Sequence, residues 1–135
     1  MIIINADDFG RSVAETDAAA ALVKTGQLAS VSAMVFMVDS ERAAALSTQM
    51  QVDVGLHLNF SQSWNGDNVP PALAIQHESL VAFFNRSPYA QLVYNPRLRR
   101  AFKAAYQAQV TEFQRLYGRP PTRIDGHHHL HLCAN

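Results

Sequence analysis

The stretch Met1-Ile-Ile-Ile-Asn-Ala-Asp-Asp-Phe-Gly10 decides the fold. Three β-branched residues in succession, Ile2, Ile3 and Ile4, suit a strand buried on both faces, as in a parallel sheet. Asp7 and Asp8 then fall at the C-terminal end of that strand, before a turn ended by Gly10. That is the end at which open α/β sheets and (β/α) barrels carry their chemistry. In the blander alternative one Asp caps the following helix and the other is solvated.

Two further stretches weigh against that alternative. In Val54-Gly-Leu-His-Leu-Asn59 alternate residues of an extended strand share a face, so Gly55, His57 and Asn59 lie opposite Leu56, Leu58 and Phe60. The same parity in Asp125-Gly-His-His-His-Leu-His131 puts Asp125, His127, His129 and His131 together, opposite His128, Leu130 and Leu132. Of the 6 histidines only His77 lies outside these two segments. Imidazoles with a carboxylate are a usual ligand set for divalent metals, and a site of two His and one carboxylate leaves positions open for water and substrate. Asp8, His57 and His127 would form such a site if three strand ends converge.

The rest of the chain supplies the frame. Ser12 with Glu15 reads as a capping box opening a helix to about Lys24, closed by Gly26. Leu28 to Met37 follows as a second buried strand, with Ser30 and Ser32 on one parity, facing either a helix or a cleft. A short helix from Glu41 to about Thr48 leads to a third strand, Val52 to Phe60. The order β-α-β-α-β with short links favours a parallel sheet with right-handed crossovers. From Ser61 to Gln76 periodicity fails, and Trp64-Asn-Gly-Asp-Asn-Val-Pro-Pro71 is turn chemistry over the end of the strand that bears His57. A short helix is expected over Glu78 to Arg86 and a turn or helix over Pro88 to Tyr94. Asn95 and Pro96 open the strongest helix, with Leu98, Phe102, Tyr106, Val110, Phe113 and Tyr117 as its apolar stripe and Gly118 at its end. Its basic first turns, Arg97, Arg99, Arg100 and Lys103, read as a solvated face.

At 135 residues and 48% hydrophobic content, one domain with a modest core is expected. With 11 basic and 11 acidic residues there is no electrostatic case for nucleic acid or an anionic membrane. The single cysteine, Cys133, rules out an internal disulfide. No run approaches the ~18 apolar residues of a membrane span, and three isoleucines fall short of a signal peptide. A cytoplasmic protein is the default expectation.

Asn5-Ala-Asp-Asp-Phe-Gly10, Gly55-Leu-His-Leu-Asn59 and Pro121-Thr-Arg-Ile-Asp-Gly-His-His-His-Leu-His131 resemble the three N-terminal motifs of the YdjC-like carbohydrate deacetylases, in order and spacing. The resemblance implies a partial (β/α) barrel of TIM-barrel type, with about four parallel strands and intervening helices. It implies one divalent metal ion, magnesium or else zinc or cobalt, held by Asp8, His57 and His127, with Asp7 as catalytic base. The substrate it implies is an acetylated amino sugar, such as a chito-oligosaccharide. His129 and His131 are candidates for the general acid, and Asn59 and Trp64 for substrate contact, although Trp64 could instead anchor its loop. Family members are longer, so residues 1–135 are expected to be the N-terminal part of a deacetylase domain, stopping a few residues past the third motif. Alone, the 135-residue chain is expected to be either a homo-oligomer that covers an exposed sheet edge or a marginally folded fragment, with weak or no deacetylase activity. Two alternatives remain: another metallohydrolase, such as a phosphoesterase, and an inactive metal-binding or interaction fragment.

Overall fold

The computed structural model describes residues 2–135. Its elements run β1 (Asn5–Phe9), α1 (Val13–Lys24), β2 (Ser30–Ala33), α2 (Ser40–Met50), β3 (Asp53–Leu58), α3 (Pro71–Phe84), α4 (Arg99–Tyr117) and β4 (Ile124–Gly126). The four strands form one parallel sheet in the order β1-β2-β3-β4. Each new strand lies beside its predecessor, the winding of a (β/α) barrel rather than of a doubly wound sheet, and the sheet does not close. It is therefore a partial barrel with two edges.

Parity divides the sheet into two chemistries. Val31 and Ala33, in register with Val54 and Leu56, face the helices and join a core that includes Leu58, Leu80, Phe102 and Phe113. Burying each of these larger side chains is worth about 1.5–3 kcal/mol. Ser30, Ser32, Gly55, His57 and Asp125 share the opposite, concave face, with Ser32 beside Gly55 and His57 beside Asp125.

Several expectations are corrected. Ile2, Ile3 and Ile4 are not a buried strand but are 89%, 62% and 56% exposed. The pairing of β1 with β2 begins only where Ile4 accepts the Ala29 N–H, so among the described residues Ile2 and Ile3 have no paired strand. The apolar run Leu28 to Met37 is strand only to Ala33. Met34 to Met37 are buried in an irregular turn that includes Phe36 at φ 61°, and the Phe36 carbonyl accepts the Asn65 and Gly66 N–H groups. Helix α3 begins at Pro71, not Glu78: proline at the first helical turn forfeits no intrahelical bond, and the turn-like composition before it hid this start. Between α3 and α4 the expected turn is a short 3-10 segment, Ala90–Leu92.

Asn95 does cap the next helical run, its Oδ1 accepting the Arg97 N–H at 3.1 Å, but the first turn is 3-10 (Pro96–Leu98) before α4 proper. The buried stripe of α4 is Ala101, Phe102, Ala105, Gln109 and Phe113, so Tyr106 is 41% exposed and Gln109 takes the core position. The largest correction concerns the histidines. β4 ends at Gly126, and His127–Leu132 coils into 3-10 turns with His128 and His129 in the left-handed region, φ 54° and 58°. Strand alternation therefore stops at His127.

Candidate metal centre

Three strand ends meet at one point on the concave side. In β1 the pairing with β2 shifts between Ala6 and Phe9, and Asp8 has φ 62°, so an irregularity re-aims the second carboxylate. Both adjacent aspartates thereby approach the same place. Asp8, His57 and His127 each offer a ligand atom within 4.8 Å of the others, as do Asp7, His57 and Asp125. Asp8 Oδ1 lies 2.9 Å from His127 Nδ1 and 3.3 Å from His57 Nε2. Its other oxygen is 3.1 Å from Arg11 Nη1.

His57 is buried on β3, and its Nδ1 lies 2.7 Å from Asp125 Oδ1 on β4. A carboxylate accepts only, so it fixes the proton on Nδ1 and turns Nε2 towards Asp8. Asp125 is oriented in turn by Ser32, whose hydroxyl donates to Oδ2 at 2.6 Å. His127, also buried, closes the group from the first residue after β4, its ring 5.6 Å from that of His57.

The electrostatics follow from this packing. Hydrogen bonds from His127 and His57 hold the Asp8 carboxyl far below the usual carboxylate range, against the penalty of burial. Burial disfavours a charge on His57, but the Asp125 and Asp8 carboxylates outweigh it and lift its pKa to about 9. Burial likewise works against a charged Asp125, yet hydrogen bonds from His57 and Ser32 keep its pKa below the ordinary value. Two imidazoles thus converge on one deeply ionised carboxylate.

The donor set fits a divalent ion. Ligand atoms about 2.0–2.2 Å from one metal, at angles of roughly 90–110°, stand about 3.0–3.5 Å apart. The spacings from Asp8 Oδ1 to the two imidazole nitrogens, 2.9 and 3.3 Å, are close to that range. An ion placed there would replace the shared protons with little rearrangement.

The other singled-out residues lie elsewhere. His131 packs against Gly126 on the helix side of the sheet, beside Leu58 and Phe102, and His129 is exposed. Among the described residues neither hydrogen-bonds to the cluster. The imidazole beside it is His128, whose ring centroid is 4.0 Å from that of His127 and whose Nδ1 lies 3.1 Å from Ser61 Oγ. Strand parity had set His128 on the opposite face. The left-handed turn that brings it back has no signature in a run of histidines.

Asn59 is fully buried, its amide donating to the Gln62 carbonyl and accepting from the Ser61 and Gln62 N–H groups. Its backbone is clamped by Gln109, which accepts the Asn59 N–H at 2.7 Å and donates to its carbonyl at 3.2 Å, and by His77 Nε2 at 2.9 Å. Trp64 is buried and stacks on His77 at 3.8 Å, with Phe36 at 4.6 Å, the packing of a loop anchor. Among the described residues no helix is long and apolar enough to cross a membrane.

Comparison with known proteins covers the whole chain. The family of YdjC-like proteins matches residues 1–135. A chitooligosaccharide deacetylase of Serratia marcescens is 32% identical over 133 residues, covering 98% of this chain and 51% of that protein. A carbohydrate deacetylase of Danio rerio is 25% identical over 139 residues, covering 99% and 43%. The crystal structure of a proposed cellobiose-phosphate cleavage protein from Enterococcus faecalis superposes with a TM-score of 0.65 at 23% identity, over 96% of this chain and 49% of that one, and shares its fold. The chain spans about half the length of these relatives.

Proposed function

The chain belongs to the family of YdjC-like proteins, and on that premise we propose that it is the metal-binding half of a hydrolase that removes acetyl groups from N-acetylated amino sugars, chito-oligosaccharides being the reference substrate. The observation that carries this reading is the convergence of Asp8, His57 and His127 with a second carboxylate, Asp7, beside them. Relatives named for deacetylation of chito-oligosaccharides and carbohydrates support the substrate class.

Asp8, His57 and His127 would hold the ion. When bound, a divalent metal supplies a water of lowered pKa and a Lewis acid for the acyl oxygen. The chain's own residues do the rest. Asp7 Oδ1 accepts the Asn5 amide at 2.8 Å, which holds the carboxylate on the concave face and leaves its second oxygen to take a proton from the attacking water. Asp125 keeps His57 in the liganding tautomer. To His128, whose ring lies beside that of His127, we assign the return of a proton to the departing amine, and its pKa, lowered by burial, favours giving that proton up.

The test separates ligand from base. Asp7→Asn should retain zinc affinity by calorimetry and lower acetate release by ~10²- to 10⁴-fold, whereas His57→Ala and His127→Ala should abolish zinc binding. Unchanged zinc affinity in both histidine variants would overturn the site. Phosphate release from esters in place of acetate release would overturn the reaction.

A further inference from the structure

We propose that Asn5 is a positioning residue for Asp7, and that Arg123, lying flat across Gly55, fixes the direction in which the Asn5 amide donates. The proposal rests on the deacetylase reading only for the role of Asp7; the arrangement itself is geometric.

Arg123 precedes β4, yet its guanidinium reaches over the concave face to the far edge of the sheet. Nη1 donates to Asp53 Oδ2 at 2.8 Å on β3, and Nη2 donates to the Val31 carbonyl on β2 and to Asn5 Oδ1 on β1, both at 3.0 Å. The path is open because residue 55 is glycine. A Cβ there would stand 2.9 Å from Nε, 3.0 Å from Nη2 and 3.1 Å from Cζ of Arg123. Any side chain at position 55 displaces the guanidinium.

The ends of this chain set its polarity. A guanidinium has donors only and a carboxylate acceptors only, whereas an asparagine amide has one of each and faces either way until a neighbour decides. Arg123, with Ser30 Oγ donating at 2.7 Å, claims Asn5 Oδ1. Nδ2 is thereby turned to Asp7 Oδ1 at 2.8 Å and Ser32 Oγ at 2.9 Å. Ser32, now an acceptor from Asn5, donates its own hydroxyl hydrogen bond to Asp125, the partner of His57. Hydrogen bonds thus cross all four strands and end on two acceptor-only carboxylates, Asp7 on β1, which takes the Asn5 amide, and Asp125 on β4, which takes both Ser32 Oγ–H and His57 Nδ1–H.

The experiment uses the 135-residue chain, labelled with 15N, and the variants Arg123→Ala, Gly55→Ala, their double and Asn5→Ala. In the parent, the order parameter of the Asn5 side-chain amide should approach the ~0.85 of a rigid group; in Arg123→Ala and in Gly55→Ala it should drop below ~0.6. The double variant should lose no more than either single one. Backbone amide spectra establish that each variant is folded, and Arg123→Ala decides the matter if Gly55→Ala is not. Asn5→Ala should lower kcat about tenfold, the effect of one charge-assisted hydrogen bond, with KM and zinc affinity within about twofold of the parent. An Asn5 amide equally ordered in Arg123→Ala and the parent overturns the proposal. So does a loss of zinc affinity in step with kcat in Asn5→Ala, which would make Asn5 part of the scaffold alone. A parent chain that folds and binds zinc but releases no acetate is what half of a hydrolase gives, and the amide order together with the zinc affinity of Asn5→Ala then decides the placement.

Discussion

Raising the pH of the metal-free chain should unfold its site from within, because His57 stands between two carboxylates that favour its charged form. Nδ1 is 2.7 Å from Asp125 and Nε2 3.3 Å from Asp8, and the pKa is lifted from 6.5 to about 9. A base whose folded pKa exceeds its unfolded one contributes stability that is fully present below 6.5 and is lost as pH rises through about 9. That displacement corresponds to roughly 3 kcal/mol, and the His57 side chain is only 4% exposed, so solvent screening removes little of it. Asp8 carries the opposite sign: its depressed pKa contributes stability above about 4 that fades only in strong acid. Against a typical ~5–15 kcal/mol for a domain, a loss of this size is readable. Urea unfolding followed by circular dichroism in the presence of a chelator should show a plateau near pH 6, a fall of about 3 kcal/mol by pH 9 to 10, and a much flatter profile in His57→Gln. Saturating zinc should remove the fall, since the ion competes with the proton and takes the neutral ring. An equal slope in the parent and in His57→Gln would refute the reasoning.

Two further predictions concern the frame. Gln109→Ala strips the buried clamp from both backbone groups of Asn59 and should cost about 2 kcal/mol or more in unfolding free energy; a loss below ~0.5 kcal/mol, the scale of a surface substitution, would show that water replaces it. The open edges of β1 and β4, with Ile2 to Ile4 exposed beside the first, should drive self-association, which size-exclusion chromatography with light scattering reads directly; a monomer at every concentration would refute it.

What the sequence made legible is what parallel topology enforces. In a parallel sheet all strand C-termini lie at one end, so Asp8, His57 and His127 needed only to be placed on strand ends to be placed together. His57 followed from alternation along β3, which is regular for its whole length, Asp53–Leu58. Alternation failed past Gly126 because two left-handed residues follow, and φ > 0 at non-glycine residues leaves little trace in composition. It failed likewise for Ile2 and Ile3, where β-branched propensity was present but among the described residues no strand pairs with them, Ile4 alone accepting the Ala29 N–H. Gln109 escaped because a polar residue among aromatics reads as a solvated position until its acceptor and donors are known.

The supporting contacts were illegible for a different reason. Asn5, Ser30, Ser32, Gly55, Arg123 and Asp125 come from four strands and their flanks, and their meeting depends on register: Asn5 beside Ser30, Ser32 beside Gly55, His57 beside Asp125. A slip of one residue in any pairing would turn that strand's polar members into the apolar layer under the helices. The apolar partners Val31, Val54 and Leu56 therefore hold the polar face in place from behind, since they cannot leave the core without exposing it. The candidate metal ligands are specified by where strands end, but the groups that aim them are specified by how strands align, and that alignment is a property of the packed sheet.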